Sequence, residues 1–357
     1  MASSPPAQDK SSPAAKSPSP KSPTPKSPTP ENNDDPIEAD TTHDDGDSTY
    51  AASLVSDTTS LRTSMLEYRW ENGRRYTAAE DSRYWGPNDE KQQIAEDLLH
   101  EMHKLILEGK LHKVPISEIQ TALDVGCGTG SWAIEFADEH PECTVTGVDL
   151  SPIQPRFVPP NCRFEVDDIN KAWTFPEDHF DYVHVRNMLG TVANWTDFYT
   201  AAIKHVKPGG WVEQIELSSS PRADDDSIPD GSALSRWPGL FNNIGDKLGI
   251  SFRAAEEARE ALTNAGFVNV TEHIIKVPLG PWPKDKRLKS WGQWCRYFSL
   301  EGLEGFALRS VVDVLGWTYE EAQLLFMEMR KNLTDPRVHA YTNLHIVYGQ
   351  RPEAPVA

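Results

Sequence analysis

The sequence has no apolar run long enough to span a bilayer, and its N-terminus carries no apolar stretch of a secretory signal. Cysteine is scarce. Cys127, Cys143, Cys162 and Cys295 form no C-x-x-C, and none sits beside a histidine at zinc spacing. A disulfide framework and a metal site are therefore not expected. Reduced, mostly buried thiols in a soluble intracellular protein are. Positive charge is in deficit: 35 Lys and Arg stand against 54 Asp and Glu, a net charge of −19. That balance excludes a chain built to grip nucleic-acid phosphates non-specifically, so no direct nucleic-acid binding is expected. It suits a small-molecule or protein partner.

Residues 1–60 are poor in anything that could form a core. Ser17-Pro18-Ser19-Pro20-Lys21, Ser22-Pro23-Thr24-Pro25-Lys26 and Ser27-Pro28-Thr29-Pro30-Glu31 form a five-residue repeat. Prolines this dense block helix and sheet and favour an extended, polyproline-like chain. An acidic stretch follows, with Asp34, Asp35, Glu38, Asp40, Asp44, Asp45 and Asp47. A disordered tail is expected, because so little apolar surface cannot offset the entropy of ordering. The recurring Ser-Pro and Thr-Pro steps beside lysine also fit phosphorylation, which would turn a basic stretch acidic.

What is present in strength is Leu123-Asp124-Val125-Gly126-Cys127-Gly128-Thr129-Gly130. It reads as the end of a buried strand, a glycine-rich turn and the start of a helix through Ser131–Ala137. Alternate glycines let backbone approach a ligand where a Cβ would collide. The third glycine comes one residue earlier than in the dinucleotide fingerprint G-x-G-x-x-G. By itself the turn fits S-adenosylmethionine, another nucleotide, or a structural turn.

From residue 120 to 220 strands and helices alternate, as a parallel sheet requires. Strands are expected at Ala122–Val125, Thr144–Leu150, Arg163–Val166, Phe180–Val185 and Trp211–Leu217, with Lys207-Pro208-Gly209-Gly210 as the turn before the last. Acids or polar residues end them in succession: Asp149 with Leu150, Asp167 and Asp168 with Ile169, then Arg186 and Asn187. Ligands of open parallel sheets lie beyond such strand ends. Asp149 can accept both hydroxyls of a ribose. Asp168 and the Ile169 amide suit an adenine edge, and Arg186 and Asn187 suit the methionine part. A sulfonium and an ammonium favour such an acidic rim, whereas a pyrophosphate is repelled. Each acid taken alone fits a helix cap or a turn equally well.

His184 lies inside an apolar strand and reads as a core histidine. Glu213 and Glu216 straddle their strand and face opposite sides, one towards a pocket and one towards the surface. Asn187, Glu213 and Tyr76 are lining candidates, and no general base is identified. Upstream, residues 61–119 read as a helical, aromatic-rich cap. Within it, Arg74-Arg75 suits an anion or carboxylate, and Gly109 closes the long helix. Residues 281–336 read as an inserted helical pair, where Trp291, Trp294, Tyr297 and Phe298 fit a substrate pocket, plain core, or a docking face. The last strand, at Tyr341–Tyr348, belongs to segment 337–357, and one antiparallel strand is expected at the sheet edge.

With these residues together, the chain resembles the fungal LaeA-like methyltransferases, regulators of secondary metabolism and development. The pieces that carry the likeness are Asn72-Gly73-Arg74-Arg75-Tyr76, Pro87-Asn88-Asp89-Glu90, Asp124–Gly130, Asp149-Leu150-Ser151-Pro152-Ile153-Gln154-Pro155, Val158-Pro159-Pro160-Asn161-Cys162, Arg186-Asn187 and Lys207–Gly210. The resemblance implies an α/β fold of class I methyltransferase type. Its seven-stranded Rossmann-like sheet would occupy residues 120–280, with the cap and insertion around it. It implies S-adenosylmethionine as cofactor, held by Tyr76, Asp124, Gly126, Gly128, Gly130, Asp149, Leu150, Asp167, Asp168, Ile169, Arg186 and Asn187. It also implies a regulatory partner, velvet-type or zinc-finger, and work in nucleus and cytoplasm. Two other outcomes stay open: a scaffold that binds the donor without essential transfer, and a small-molecule O- or N-methyltransferase.

Overall fold

The computed structural model describes residues 37–38, 68–77 and 84–353. Apart from Ile37 and Glu38, the expected tail and its phosphorylation sites lie outside the described residues. So do residues 61–67 of the expected cap.

The cap is not purely helical. Its described part includes a small antiparallel hairpin, β1 (Arg69–Glu71) and β2 (Arg74–Tyr76), turned at Asn72-Gly73. Asn-Gly tolerates the positive φ at both positions that such a turn needs. Helix α1 (Glu90–Ile106) follows. Asp89 caps it, its side chain accepting from the Gln92 amide, with Glu90 in the first turn and His103 and Lys104 in the last. The Gly109 amide closes back on the Lys104 carbonyl with φ +84°.

The two arginines of the hairpin meet carboxylates of this same chain. Arg74 makes a bidentate bond to Asp89 (2.6 and 2.9 Å), fixing β2 to the start of α1. Arg75 reaches Asn88 and Glu90. Both are structural ties and not an anion site.

The core is a seven-stranded sheet of order β5-β4-β3-β6-β7-β9-β8. Its strands are β3 (Thr121–Val125), β4 (Thr144–Asp149), β5 (Cys162–Val166), β6 (Phe180–Arg186), β7 (Val206–Leu217), β8 (Val268–Pro278) and β9 (Tyr341–Gln350). The first five are parallel. β9 runs antiparallel to both β7 and β8 and lies between them. The antiparallel strand is therefore inside the sheet, and β8 forms the edge. Lys207-Pro208-Gly209-Gly210 is not a separate turn but the bulged start of β7: the register shifts opposite Phe180–Tyr182 and Gly209 has φ +79°.

Helices α2 (Ser131–Glu139), α3 (Trp195–His205) and α5 (Ala254–Asn264) pack on the sheet through buried alanines and aromatics. A second apolar cluster joins α4 (Ala233–Leu248), α6 (Lys286–Arg309) and α7 (Tyr319–Thr334), with a π-helical turn at Ser310–Val314. These three form a roof beside the strand ends. No helix among the described residues is long and apolar enough to cross a membrane. All four cysteines are free, and burial pushes the Cys143 thiol up to about 12 and Cys162 to about 11.

Candidate active site

Strand order reverses at β3, which has β4 on one side and β6 on the other. A cavity of about 610 Å³ opens there, at the carboxyl ends of the strands. Its floor is the glycine turn. Gly126 and Gly128 have φ +67° and +55°, and a Cβ on Gly126 would collide with the Met188 sulfur. Gln154 Nε2 braces the turn by donating to the Gly128 carbonyl at 2.7 Å. That gives the Ser151–Pro155 segment a physical role.

Asp149 ends β4 at this floor. Its Oδ2 accepts from the Gly128 amide and its Oδ1 from the Ser151 amide, both at 2.9 Å. A carboxylate has about four lone-pair positions. Two backbone donors leave room for a diol. Burial raises the Asp149 carboxyl to about 6, opposed by those two amides. Leu150, Asp167, Asp168 and Ile169 line the next part of the wall. Asp167 turns back to cap the Asp168 amide, and Asp168 accepts from the Asn170 amide.

Arg186 and Asn187 end β6 on the same cavity. Asn187 has φ +56°, in the left-handed region that asparagine tolerates better than most residues with a side chain. Glu216 holds this turn: its Oε2 accepts from the Met188 amide at 2.8 Å. Burial lifts the Glu216 carboxyl to about 8. Arg186 donates to His100 Nδ1 at 3.0 Å. Burial keeps His100 below its usual range, with Arg186 adding to the effect, so the ring is a neutral acceptor.

Asp124 lines the cavity with one oxygen tied to His184 Nδ1 at 2.8 Å. His184 is fully buried and stacked on Trp132, a core histidine as expected. Two expected donor residues lie off the cavity wall. Tyr76 is buried in β2 beneath the Arg309 guanidinium. Gly130 abuts the Phe164 ring, so it serves helix–strand packing. Glu213 is also off the wall and is not on the surface. It is buried, accepting from the Tyr182 hydroxyl (2.7 Å) and the Lys113 amide (2.8 Å).

The sequence reading missed Glu96 and His100, both on α1, and the reach of Tyr84 and Trp85 into the cavity. The signal was a polar stripe, Gln92-Glu96-His100, at four-residue spacing beside an apolar face. Away from the glycine turn the wall becomes apolar, with Leu234 and Phe241 of α4, Phe298 and Phe306 of α6, and Met329 of α7. Of the four aromatics that fitted a pocket, core or a docking face, only Phe298 lines the cavity. Trp291 and Trp294 pack into the core, and Tyr297 is 43% exposed.

A sequence profile for the methyltransferase domain matches residues 87–272. The secondary metabolism regulator LAE1 of Cochliobolus heterostrophus is 36% identical over 290 residues, 79% of this chain and 94% of that protein. The chain belongs to the LaeA-like fungal methyltransferases. Methyltransferase pytC of Aspergillus terreus is 35% identical over 306 residues, 85% of this chain and 94% of that one. The protein-methionine methyltransferase laeA of Emericella nidulans is 32% identical over 289 residues, 80% and 77%. This LaeA-like chain is a methyltransferase, and its cofactor is S-adenosylmethionine. The cavity fits that cofactor: side-chain-free backbone at its floor, an acid with spare acceptors, and an acidic wall suited to a cation.

Proposed function

We propose that this methyltransferase binds its donor along the strand ends and serves as a regulator of secondary metabolism and development within a nuclear and cytoplasmic protein complex. The observation that carries the donor site is the convergence of Gly126, Gly128, Asp149, Leu150, Asp167, Asp168, Ile169, Arg186 and Asn187 on one cavity. In this reading Asp149 takes the ribose diol. Asp168 and Ile169 take the adenine edge, and Arg186 takes the amino-acid carboxylate. Asn187 and Glu216 line the same cavity and are candidates for the acceptor side.

Bound S-adenosylmethionine supplies a methyl group already activated on a sulfonium. The chain's task is alignment and exclusion of water. The roof helices α4, α6 and α7 supply the dry wall. The regulatory role is supported by relatives named as secondary metabolism regulators, LAE1 among them. The net charge of −19 favours a protein partner over nucleic acid, and the resemblance points to velvet-type or zinc-finger proteins.

The apolar roof favours a second reading, a small apolar acceptor methylated on oxygen or nitrogen. Whether donor binding is needed at all is tested with Gly128→Glu, which pushes a side chain into the donor floor. Calorimetry should show S-adenosylmethionine binding to the full chain, none to the variant, and no binding of NAD to either. Loss of metabolite regulation together with binding supports catalysis in the regulator. Persistence of the partner complex and of regulation in the variant would identify a scaffold instead.

A further inference from the structure

Glu96 sits on α1 one turn before His100 and lines the same cavity. Its Oε2 is wholly buried and has no hydrogen-bond partner among the described residues. Its Oε1 accepts from Gln92 Nε2 at a long 3.4 Å, and the Thr129 backbone donates towards the carboxyl. A Cβ on Gly128 would stand 2.7 Å from that Oε2, so the carboxyl faces the glycine turn directly.

The titratable groups facing Glu96 are Asp149 at the end of β4, Asp97 on its own helix, and the Tyr84 phenol from the segment before α1. None is a cation. Burial, with Asp149 beside it, raises the carboxyl to about 8. A buried acid without a counter-charge is costly, and a ligand that brings the missing cation relieves it. One helical turn further on, the His100–Arg186 pair offers the opposite charge. An amino-acid zwitterion has an ammonium and a carboxylate on one carbon. It is matched by an acid and a guanidinium, and Glu96 and Arg186 both line this cavity.

We propose that Glu96 receives the α-ammonium of the donor's amino-acid end while Arg186 receives its α-carboxylate. The inference rests on the donor site proposed above and adds a binding residue from outside the sheet. Glu96 is thus protonated in the free chain and ionised in the complex, so binding releases a proton.

The test compares Glu96→Gln with the wild-type full chain by calorimetry at pH 7. Three ligands are used: S-adenosylmethionine, S-adenosylhomocysteine, and 5′-methylthioadenosine, which lacks the amino-acid end. The first two should weaken alike, roughly ten- to hundredfold, as for a lost charged hydrogen bond. Methylthioadenosine should be unaffected. Titration in buffers of differing ionisation enthalpy should show a proton released by wild type and none by the variant. Glu96→Asp, which keeps the charge but withdraws it, should give an intermediate loss for the first two ligands if the glutamine variant does not fold. Unchanged S-adenosylmethionine binding in the variant overturns the Glu96 assignment alone. An equal loss for methylthioadenosine also overturns it, placing the contact on the nucleoside. Failure of wild type to bind any of the three overturns the donor site itself.

Discussion

Nδ1 of His184 lies 2.8 Å from Oδ1 of Asp124, across directly paired positions of β3 and β6. The imidazole stacks on Trp132 with centroids 3.8 Å apart and planes 5° from parallel. The acid at the head of the glycine turn is thus oriented from beneath by a ring that is itself clamped. Burial lowers the His184 pKa to about 4, against the pull of Asp124. In the unfolded chain the ring titrates near 6.5, about its ordinary value. Between those limits the unfolded state binds more protons. The stability tied to the neutral ring is fully present above pH 6.5 and is lost as pH falls towards 4. His184→Phe keeps a ring on Trp132 and removes the titration. Urea unfolding at several pH values should give it a shallower acid limb than wild type. Identical limbs would refute this account of the pair.

The Arg74–Asp89 tie is buried at both ends, with side chains 7% and 10% exposed. Asp89→Ala strands a buried guanidinium and removes the cap of α1 together. The expected cost is about 3–5 kcal/mol in urea unfolding. The double variant Arg74→Met with Asp89→Leu should recover part of that loss, because no charge is left unpaired.

Gly126 has φ +67° and the Met188 sulfur where a Cβ would go. Gly126→Ala should cost about 1–3 kcal/mol from backbone strain, and more as Met188 is displaced. Donor binding by calorimetry should fall further than stability does, because the same turn is the cavity floor. An alanine variant that binds the donor like wild type would argue against the floor assignment.

Ser299 lies on the roof side of the cavity, on α6. Ser299→Phe should fill the apolar part without touching the donor wall. Donor affinity is expected to hold while transfer to a small apolar acceptor is lost. Transfer to a protein acceptor that survives the change would mean the acceptor reaches the methyl group by another route.

The central sheet was legible because each strand is a short apolar run closed by an acid or a turn, as with Thr144–Asp149. The strand-end residues that line the cavity were legible for the same reason, since strand ends converge in a parallel sheet. The three-residue strands of the hairpin were not, because alternation cannot show over so short a span. Nor were the partners of Arg74 and Arg75, which lie more than a dozen residues away and meet them only by folding. The place of β9 is a tertiary choice: its sequence fits an edge or an interior strand equally. The Gln92-Glu96-His100 stripe was visible, but what a polar stripe faces is set by tertiary packing, so Glu96 and His100 were missed.

Pro278 at the end of β8 pairs with Tyr341 at the start of β9, and the Leu279 amide donates to the Ala340 carbonyl at 2.9 Å. Everything between departs and returns through this one doorway. α6 and α7 therefore form a cassette hung from adjacent strands, one that a tight hairpin could replace in outline without unthreading the sheet. Part of the apolar wall is thus carried on a segment that could be exchanged while the strand ends stay intact.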